Sequence, residues 1–274
     1  MFFEGVFFMN KKINNFLFIL IAIFLVACIA PTTQRTKPDE AAVLIEAAKQ
    51  REIALKETLK SQQRLLKIGG PILKKSLSFC EDRKRKSIGI TYANKHDFDG
   101  EFQEIAVSKL GLSDTLEITY VINSYPAADA GLKVGDILLS INEKEIPSGK
   151  DASKKFSELL KKEIKNNAKL LFHVVRSNVV ELLEIIPTET CDYPLIVLTD
   201  DVVNAYADGN NIFITQGMMD FAKTDDELAL VVAHELAHNA MRHIDAKKTN
   251  ALGGFVIDML ITVLSGIDTQ GISR

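Results

Sequence analysis

Apolar residues recur along the chain with different periods, and these periods predict its elements. Residues 16–27, FLFILIAIFLVA, are apolar without interruption. Apolar residues spaced four and seven apart mark one face of a helix, whereas alternation marks a half-buried strand. Helical spacing occurs at 44–66, 151–164 and 228–244, and short apolar or alternating runs occur at 137–141, 170–186 and 195–215. The chain therefore combines helices and short strands in an α+β order, with no internal repeat.

The uninterrupted apolar run predicts a secretory signal. Lys11 and Lys12 precede it, and a basic region followed by an apolar stretch of this length is typical of such signals. The run ends in Leu25-Val26-Ala27-Cys28, which resembles the bacterial lipoprotein box. The resemblance implies that 1–27 is a signal peptide, cleaved before Cys28, and that the Cys28 thiol is acylated. The alternative is an uncleaved anchor helix, although the run is short for a membrane span of about 20 residues.

Both alternatives tether the chain to a membrane and place the remainder outside the cytoplasm. Ile29, rather than an aspartate, follows the cysteine. By resemblance to lipoprotein sorting, this favours the outer membrane of the cell envelope, with the protein facing the periplasm. Residues 28–79 are then a polar spacer followed by a stalk helix. Gly69-Gly70-Pro71 is expected to end that helix.

The next predicted domain, 80–187, contains a sequence rich in turn-forming residues. Residues 124–142, SYPAADAGLKVGDILLSIN, combine small residues, two glycines suited to positive φ, and an alternating strand. This sequence resembles the PDZ domains of bacterial periplasmic proteases. The resemblance implies a PDZ-like β-sandwich or barrel, and 151–164 has the period of an amphipathic helix within it.

PDZ domains bind a peptide C-terminus with a loop of backbone N–H groups, and the edge of the next strand accepts the extended peptide. The resemblance places this loop and strand at the predicted peptide-binding residues Ser87, Ile88, Gly89 and Ile90. The basic run 83–86 beside them either favours an anionic terminus or is a solvated charge run. A PDZ domain performs no chemistry, so its expected role is to select or tether substrates.

The last predicted domain, 188–274, carries the residues suited to catalysis. His234, Glu235 and His238 form an HExxH sequence within an apolar helical run. Residues four apart lie on one face of a helix, with Cβ atoms about 5–6 Å apart. The two imidazoles can therefore bind one zinc ion, while Glu235 can reach a metal-bound water as general base. The capping-box sequence Thr224–Glu227 precedes this helix.

Short strands are predicted upstream of this helix, at 195–198, 202–207 and 212–215. Together with Gly217-Met218-Met219 and the HELAHN stretch, they resemble the HtpX and CAAX-prenyl-protease-like zinc metallopeptidases, a gluzincin family. The resemblance implies a zincin-type domain, in which a small sheet packs on the HExxH helix, and one Zn²⁺ per chain. It also implies cleavage of protein or peptide substrates, which pair with the strand at Ile212–Thr215.

The third metal ligand is the open question of this domain. Catalytic zinc usually takes three protein ligands and a water. The resembled family supplies a glutamate from a later helix, but no glutamate follows Glu235. His243 lies about 140° round the helix from His238 and is interpreted as structural, and Asp258 is a weak candidate ligand. Relative to its family, the chain looks shortened at the C-terminus.

Composition narrows the partners and the compartment. With 33 basic and 36 acidic residues, the net charge is −3, so we expect no nucleic-acid partner. Cys28, Cys80 and Cys191 are the only cysteines in the sequence. If Cys28 is lipidated, the other two can form a disulfide in an oxidising compartment or remain separate buried thiols.

Two function hypotheses follow from these patterns. The first is a membrane-tethered zinc metalloendopeptidase of the bacterial cell envelope, in which the PDZ domain captures substrates. The second is an inactive, chaperone-like binding module that holds peptides without cleaving them. A gene fragment that does not fold stably is a third interpretation. Family type predicts a metallopeptidase, whereas the missing glutamate favours inactivity of this particular chain.

Overall fold

The structure is a computed structural model that describes residues 39–241. The predicted signal peptide, Cys28, His243 and Asp258 lie outside the described residues. Of the described residues, 46–241 belong to one compact unit. Between residues 39 and 241, no helix combines the length and the apolar character needed to cross a membrane.

Helices and strands alternate along the described residues. The helices are α1 (Glu40–Lys75), α2 (Glu101–Leu110), α3 (Pro126–Asp129), α4 (Ala152–Asn166), α5 (Gln216–Phe221) and α6 (Asp225–Met241). The strands are β1 (Lys84–Ser87), β2 (Ile90–Ala93), β3 (Glu117–Val121), β4 (Ile137–Ile141), β5 (Lys144–Glu145), β6 (Leu170–Arg176), β7 (Val179–Ile185), β8 (Thr188–Cys191), β9 (Leu195–Leu198), β10 (Ala205–Ala207) and β11 (Ile212–Thr215). The α+β fold class predicted from the sequence is confirmed.

The strands form three open sheets. The largest has the order β2-β3-β4-β6-β7, with β5 paired to β4, and it carries the PDZ-like part of the chain. A second sheet has the order β10-β11-β9, and β1 pairs with β8 in a two-stranded ribbon. The PDZ-like sheet does not close into a barrel among the described residues, so β2 and β7 remain as its edges.

Two apolar cores correspond to the two larger sheets. The PDZ-like core places the fully buried Phe156 of α4 against Phe172 and Ile141 of the sheet. The second core joins α1 and α6 to the three-stranded sheet, with Leu65 and Val232 fully buried. Helix α1 is therefore part of the protein interior along its second half, and is more than a stalk.

The sequence prediction that Gly69-Gly70-Pro71 ends α1 is wrong, because the helix continues to Lys75. Both glycines are buried at close approaches. A Cβ at Gly69 would lie 2.4 Å from Leu195 Cδ1, and one at Gly70 would lie 2.9 Å from Ile122 Cγ2. The glycines let the helix pack closely on its neighbours, so tertiary packing overrides their low helix propensity.

Two adjacent glutamines of α1 form hydrogen bonds with the two larger sheets. The Gln62 side-chain amide donates to the Leu195 carbonyl at 3.0 Å and accepts from the Val197 N–H at 3.0 Å, so it covers the outer edge of β9. The Gln63 amide donates to the Thr119 carbonyl of β3 at 3.3 Å. One turn of α1 is thus hydrogen-bonded to both sheets.

A disulfide fixes the same region covalently. Cys80 and Cys191 are bonded, with Cα atoms 5.6 Å apart and 111 residues apart in sequence. The bond connects the residues after α1 to the last residue of β8, and both cysteines are buried. Of the two alternatives left open by the sequence, the structure has the disulfide.

Candidate functional site

Helix α6 begins at the predicted capping box. The Thr224 N–H donates to Glu227 Oε2 at 2.9 Å, and the Glu227 N–H donates to Thr224 Oγ1 at 3.2 Å. These bonds satisfy amide groups that a helix N-terminus otherwise leaves free. The hydrogen bonds from the Thr224 backbone and side chain hold the pKa of Glu227 below its ordinary value.

Helix α1 anchors the same helix end. The Arg64 guanidinium donates to the carbonyls of Met219, Ala222 and Thr224, at 3.1, 2.8 and 2.7 Å. It also forms an ion pair with Asp225 at 3.2 Å, and Lys67 adds a second at 3.0 Å. Hydrogen bonds from Lys67 and then Arg64 lower the pKa of Asp225. The start of α6 is therefore fixed to α1 through charged and backbone contacts.

The two predicted metal ligands converge. His234 Nε2 and His238 Nε2 lie 3.0 Å apart, with ring centroids separated by 4.6 Å and planes at 88°. Both side chains are exposed. Two nitrogens at this separation can both lie within about 2.0–2.1 Å of one zinc ion. The donor chemistry and the spacing of these residues fit the implied metal.

Glu235 lies between the two histidines in sequence and, unlike them, is buried. Only 7% of its surface is exposed, and in residues 39–241 its side chain has no hydrogen-bond or ion-pair partner. A buried carboxylate beside two exposed imidazoles fits a proton acceptor for a water in the same site.

The structure does not add a third metal ligand to this pair within the described residues. Among residues 39–241, no group of three His, Cys, Asp or Glu side chains is placed to hold a metal ion. His243 and Asp258 lie outside those residues, so the interpretations of both remain predictions.

The predicted substrate-pairing strand is wrong. Strand β11 (Ile212–Thr215) is the central strand of its sheet, with β10 antiparallel on one side and β9 parallel on the other. Both of its hydrogen-bonding edges are used, so it cannot accept an extended peptide. Within residues 39–241, β10 (Ala205–Ala207) is an outer strand of this sheet, and α6 packs against both β10 and β11. Its outer edge is the one suited to a substrate.

Asn239, directly after the second histidine, was missed by the sequence reasoning. Its fully buried amide accepts from the Gly209 N–H at 2.7 Å and donates to the Asn211 carbonyl at 3.0 Å. Both partners lie in the turn between β10 and β11. A polar residue among apolar ones, next to the ligand motif, was the available signal.

Thr215 was missed as well. Its hydroxyl accepts from the Asn204 N–H at 3.0 Å and lies 2.6 Å from the Val202 carbonyl. At the other side it accepts from the Met218 N–H at the start of α5. The backbone passes so close here that a Cβ at Gly217 would lie 2.2 Å from the Asp201 carbonyl oxygen. These contacts fix the segment that leads into β10.

The predicted peptide-binding residues span the junction of β1 and β2. Ser87 ends β1, Ile90 begins β2, and Ile88 and Gly89 form the connection. The Ile88 carbonyl accepts from the Ala127 N–H at 3.0 Å, while the Gly89 N–H donates to Ser87 Oγ at 3.2 Å. The loop is therefore fixed onto the N-terminus of α3.

These residues border a groove of about 830 Å³. Ser87 to Tyr92 line one side and α4 lines another, and the groove continues along α1 to Tyr193 and Leu195. Its volume lies within the range of about 300–1,000 Å³ that is typical of ligand pockets. The structure thus brings Ser87, Ile88, Gly89 and Ile90 to one groove, and brings His234, Glu235 and His238 together on α6.

Two family models match parts of the chain. Residues 173–271 match the model described as peptidase family M48, and residues 117–165 match the model of a PDZ domain. The first match begins ahead of the domain boundary predicted at 188, which stays a prediction. These matches confirm the resemblance to metallopeptidases with a PDZ domain. No curated protein matches the chain.

Solved structures resemble the PDZ-like part. The HtrA3 PDZ domain bound to a phage-derived ligand is 21% identical, with 39% of this chain and 89% of that chain covered and a TM-score of 0.30. The serine endoprotease from Yersinia pestis is 22% identical, with 39% and 30% covered and a TM-score of 0.26. The HtrA-type protease AlgW with a tripeptide is 23% identical, with 39% and 32% covered and a TM-score of 0.28. The chain covers about a third of each of these two proteases.

Proposed function

We propose that this chain, a PDZ-containing metallopeptidase by its family matches, is a membrane-tethered zinc metalloendopeptidase of the bacterial cell envelope. The observation that carries the proposal is that the Nε2 atoms of His234 and His238 converge to 3.0 Å on a helix whose intervening Glu235 is buried. The segment with this geometry lies within the match to peptidase family M48. The PDZ domain captures substrates for it.

His234 and His238 are the residues that would hold one zinc ion. When bound, zinc supplies Lewis acidity and lowers the pKa of a water towards about 7. The Glu235 carboxylate accepts a proton from the attacking water and later donates it to the amine of the leaving peptide. Because Glu235 is buried while the two histidines are exposed, the substrate approaches the histidines from solvent.

The β10 edge positions the substrate in this proposal. An extended peptide that pairs with this outer strand forms main-chain hydrogen bonds, which give affinity with little dependence on side chains. Asn239 follows His238 directly, and its side-chain amide is hydrogen-bonded to the β10–β11 turn. The scissile bond is thereby held in register with the histidines.

The envelope location rests on the sequence of the N-terminus and on the cysteines. The apolar run 16–27 followed by Cys28 supports a lipid anchor. The disulfide between Cys80 and Cys191 supports an oxidising compartment, because such bonds are rare in a reducing cytosol. Both observations favour a chain that faces the periplasm.

Casein cleavage by the purified full chain tests the enzymatic proposal. We expect zinc-dependent cleavage that Glu235→Gln lowers by about 100-fold or more, since general bases contribute about 10²–10⁴ to the rate. Asp226→Asn, an exposed change on the same helix, is the control and should cleave at the wild-type rate. Equal rates for wild type and Glu235→Gln would refute the proposal.

A second candidate is an inactive peptide-binding module. It is favoured by one observation, that residues 39–241 provide two metal ligands and no third. Under this alternative, peptides bind equally well with and without a chelator, and Glu235→Gln changes nothing. Zinc stoichiometry of the purified chain separates the two, because a degenerate site would retain well under one ion per chain.

A further inference from the structure

The groove beside β2 has a third wall, formed by residues outside the PDZ-like sheet and α4. In addition to β2 and α4, it is lined by Gln62, Leu66, Gly70 and Leu73 of α1 and by residues 192–195 at the start of β9. A ligand in the groove therefore contacts the PDZ-like sheet, the long helix and the sheet of the catalytic segment. Since β2 is an edge of its sheet, the groove also offers a line of backbone groups to an extended chain.

The floor of the groove is apolar and its rim is basic. Ile90, Leu160 and Ile164 are half-buried and belong to the PDZ-like core. The charged residues that line the groove are Arg85, Lys86, Lys161, Lys165 and Asp192. Four cations thus face one carboxylate, in a chain whose net charge is −3.

Three of the four cations form no ion pair within the described chain, and one of these, Lys86, lies opposite Glu189 in the β1–β8 pairing. Arg85 pairs with Asp192 at 3.2 Å, whereas Lys86, Lys161 and Lys165 form no ion pair within residues 39–241. Lys161 and Lys165 are four residues apart on α4, where like charges repel one another. Two exposed, unpaired lysines on the groove side of α4 give an anionic ligand a surface of complementary charge.

The hydroxyl of Tyr193, in the same wall, provides a second, independent observation. It is fully buried, and its hydroxyl has no hydrogen-bond partner among residues 39–241. A buried hydroxyl without a partner is costly, so such groups usually meet a ligand or a water. Tyr193 lines the groove, and its unpartnered phenol is a hydrogen-bond donor for a ligand or a water that reaches it.

We propose that this groove selects acidic peptide segments, with the peptide backbone along β2 and the peptide carboxylates against Lys86, Lys161 and Lys165. The inference rests on the proposed use of the PDZ domain for substrate capture, but it is independent of proteolysis. An anionic membrane surface would meet the same lysines, yet a flat surface does not use a concave groove with a strand edge. The peptide is therefore the ligand that the shape and the charge favour together.

Fluorescence anisotropy on the full chain carrying Glu235→Gln tests this selectivity without cleavage of the probe. One probe is a labelled decapeptide with four glutamates ahead of a C-terminal valine, and the second replaces the glutamates with glutamines. We expect the acidic peptide to bind about tenfold more tightly at low salt, with the preference falling as salt rises. A C-terminally amidated acidic peptide should keep the charge preference relative to its amidated glutamine counterpart.

Variants assign the preference to the groove. Lys161→Glu combined with Lys165→Glu should abolish the preference for the acidic peptide, because both lysines line the groove. Lys162→Glu is the matched control, since Lys162 is exposed on the same helix and lies outside the groove lining. It should leave the preference unchanged.

Each other result overturns the inference. Equal affinity for both peptides would remove acidic selectivity and leave peptide capture standing, whereas no binding of either would remove both. An equal loss in Lys162→Glu would reduce the effect to overall charge. Binding of phosphatidylglycerol vesicles that is lost in the Lys161/Lys165 variant, with no peptide preference, would assign the lysines to a membrane surface instead.

Discussion

The side-chain amide of Asn239 donates to the backbone carbonyl of Asn211 at 3.0 Å, and this bond ties the active-site helix to the sheet beside it. The same amide accepts from the Gly209 N–H at 2.7 Å. Asn239 follows His238 directly in sequence. Its two hydrogen bonds therefore fix the position of the β10–β11 turn relative to the histidines. The bond relates the proposed substrate edge to the proposed metal centre.

Asn239→Ala should therefore loosen the turn. We expect a loss of about 1–3 kcal/mol in the free energy of unfolding, because the half-buried Gly209 N–H and Asn211 carbonyl lose the buried Asn239 amide as their partner. Urea denaturation measures the loss, and hydrogen exchange at the Gly209 amide should become faster. Asn166→Ala, an exposed change at the end of α4, is the control. An unchanged exchange rate at Gly209 would contradict this role.

Gly89 has both a backbone and a packing requirement for glycine. Its φ is +79°, and a Cβ there would lie 2.1 Å from Tyr125 Cβ. Tyr125 cannot move aside easily, since its hydroxyl donates to the Gly70 carbonyl at 3.1 Å and lies 2.9 Å from Thr190 Oγ1. The predicted peptide-binding loop thus depends on the absence of a side chain at this position.

Gly89→Ala should lower the free energy of unfolding by about 2–5 kcal/mol, the sum of left-handed backbone strain and a steric collision. Gly131→Ala is a matched control, because Gly131 has φ +81° but no heavy atom within 4 Å of an added Cβ. It should cost only the backbone part, about 1–2 kcal/mol. Thermal or urea unfolding gives both values, and equal losses would show that Tyr125 can move aside.

Local patterns predicted the elements whose signals lie close together in sequence. Strand Leu195–Leu198 and the capping box at Thr224 were predicted correctly. The β6–β7 hairpin also follows from local chemistry, since Ser177 and Asn178 adopt φ +49° and +63° at its turn. In these cases the residues that determine the structure are its immediate neighbours.

Distant contacts could not be predicted in the same way. The path of α1 through Gly69 depends on Leu195, more than one hundred residues later. The edge status of β10 depends on β9 pairing in parallel with β11, and nothing within either strand specifies its partner. The two metal ligands could be predicted because their i, i+4 spacing is local. The groove could not be predicted, because its lining joins segments from three parts of the chain.

The disulfide between Cys80 and Cys191 should make stability depend on redox conditions. It closes a loop spanning 111 residues, and loss of such a bond typically costs about 2–5 kcal/mol. Urea unfolding with and without a reductant measures this loss, and mass spectrometry after alkylation counts the free thiols. A Cys80→Ser, Cys191→Ser double variant should be equally destabilised and no longer respond to the reductant. A reductant effect that persists in the double variant would contradict this assignment.

The ion pairs of Asp225 should give a stability contribution that depends on pH. Hydrogen bonds from Lys67 and Arg64 lower the pKa of Asp225 in the folded chain, whereas the unfolded value is about 3.9. The contribution is therefore complete above about pH 4–5 and is lost as the pH falls through the lowered folded pKa. Because the carboxylate is 46% exposed, Asp225→Asn should cost no more than about 1 kcal/mol at pH 7.

Urea unfolding from pH 7 down to pH 2 should show the variant and the wild type converging in acid. The neighbouring exposed Asp226→Asn should show no such convergence, and a constant difference for Asp225→Asn would mean that its charge contributes nothing.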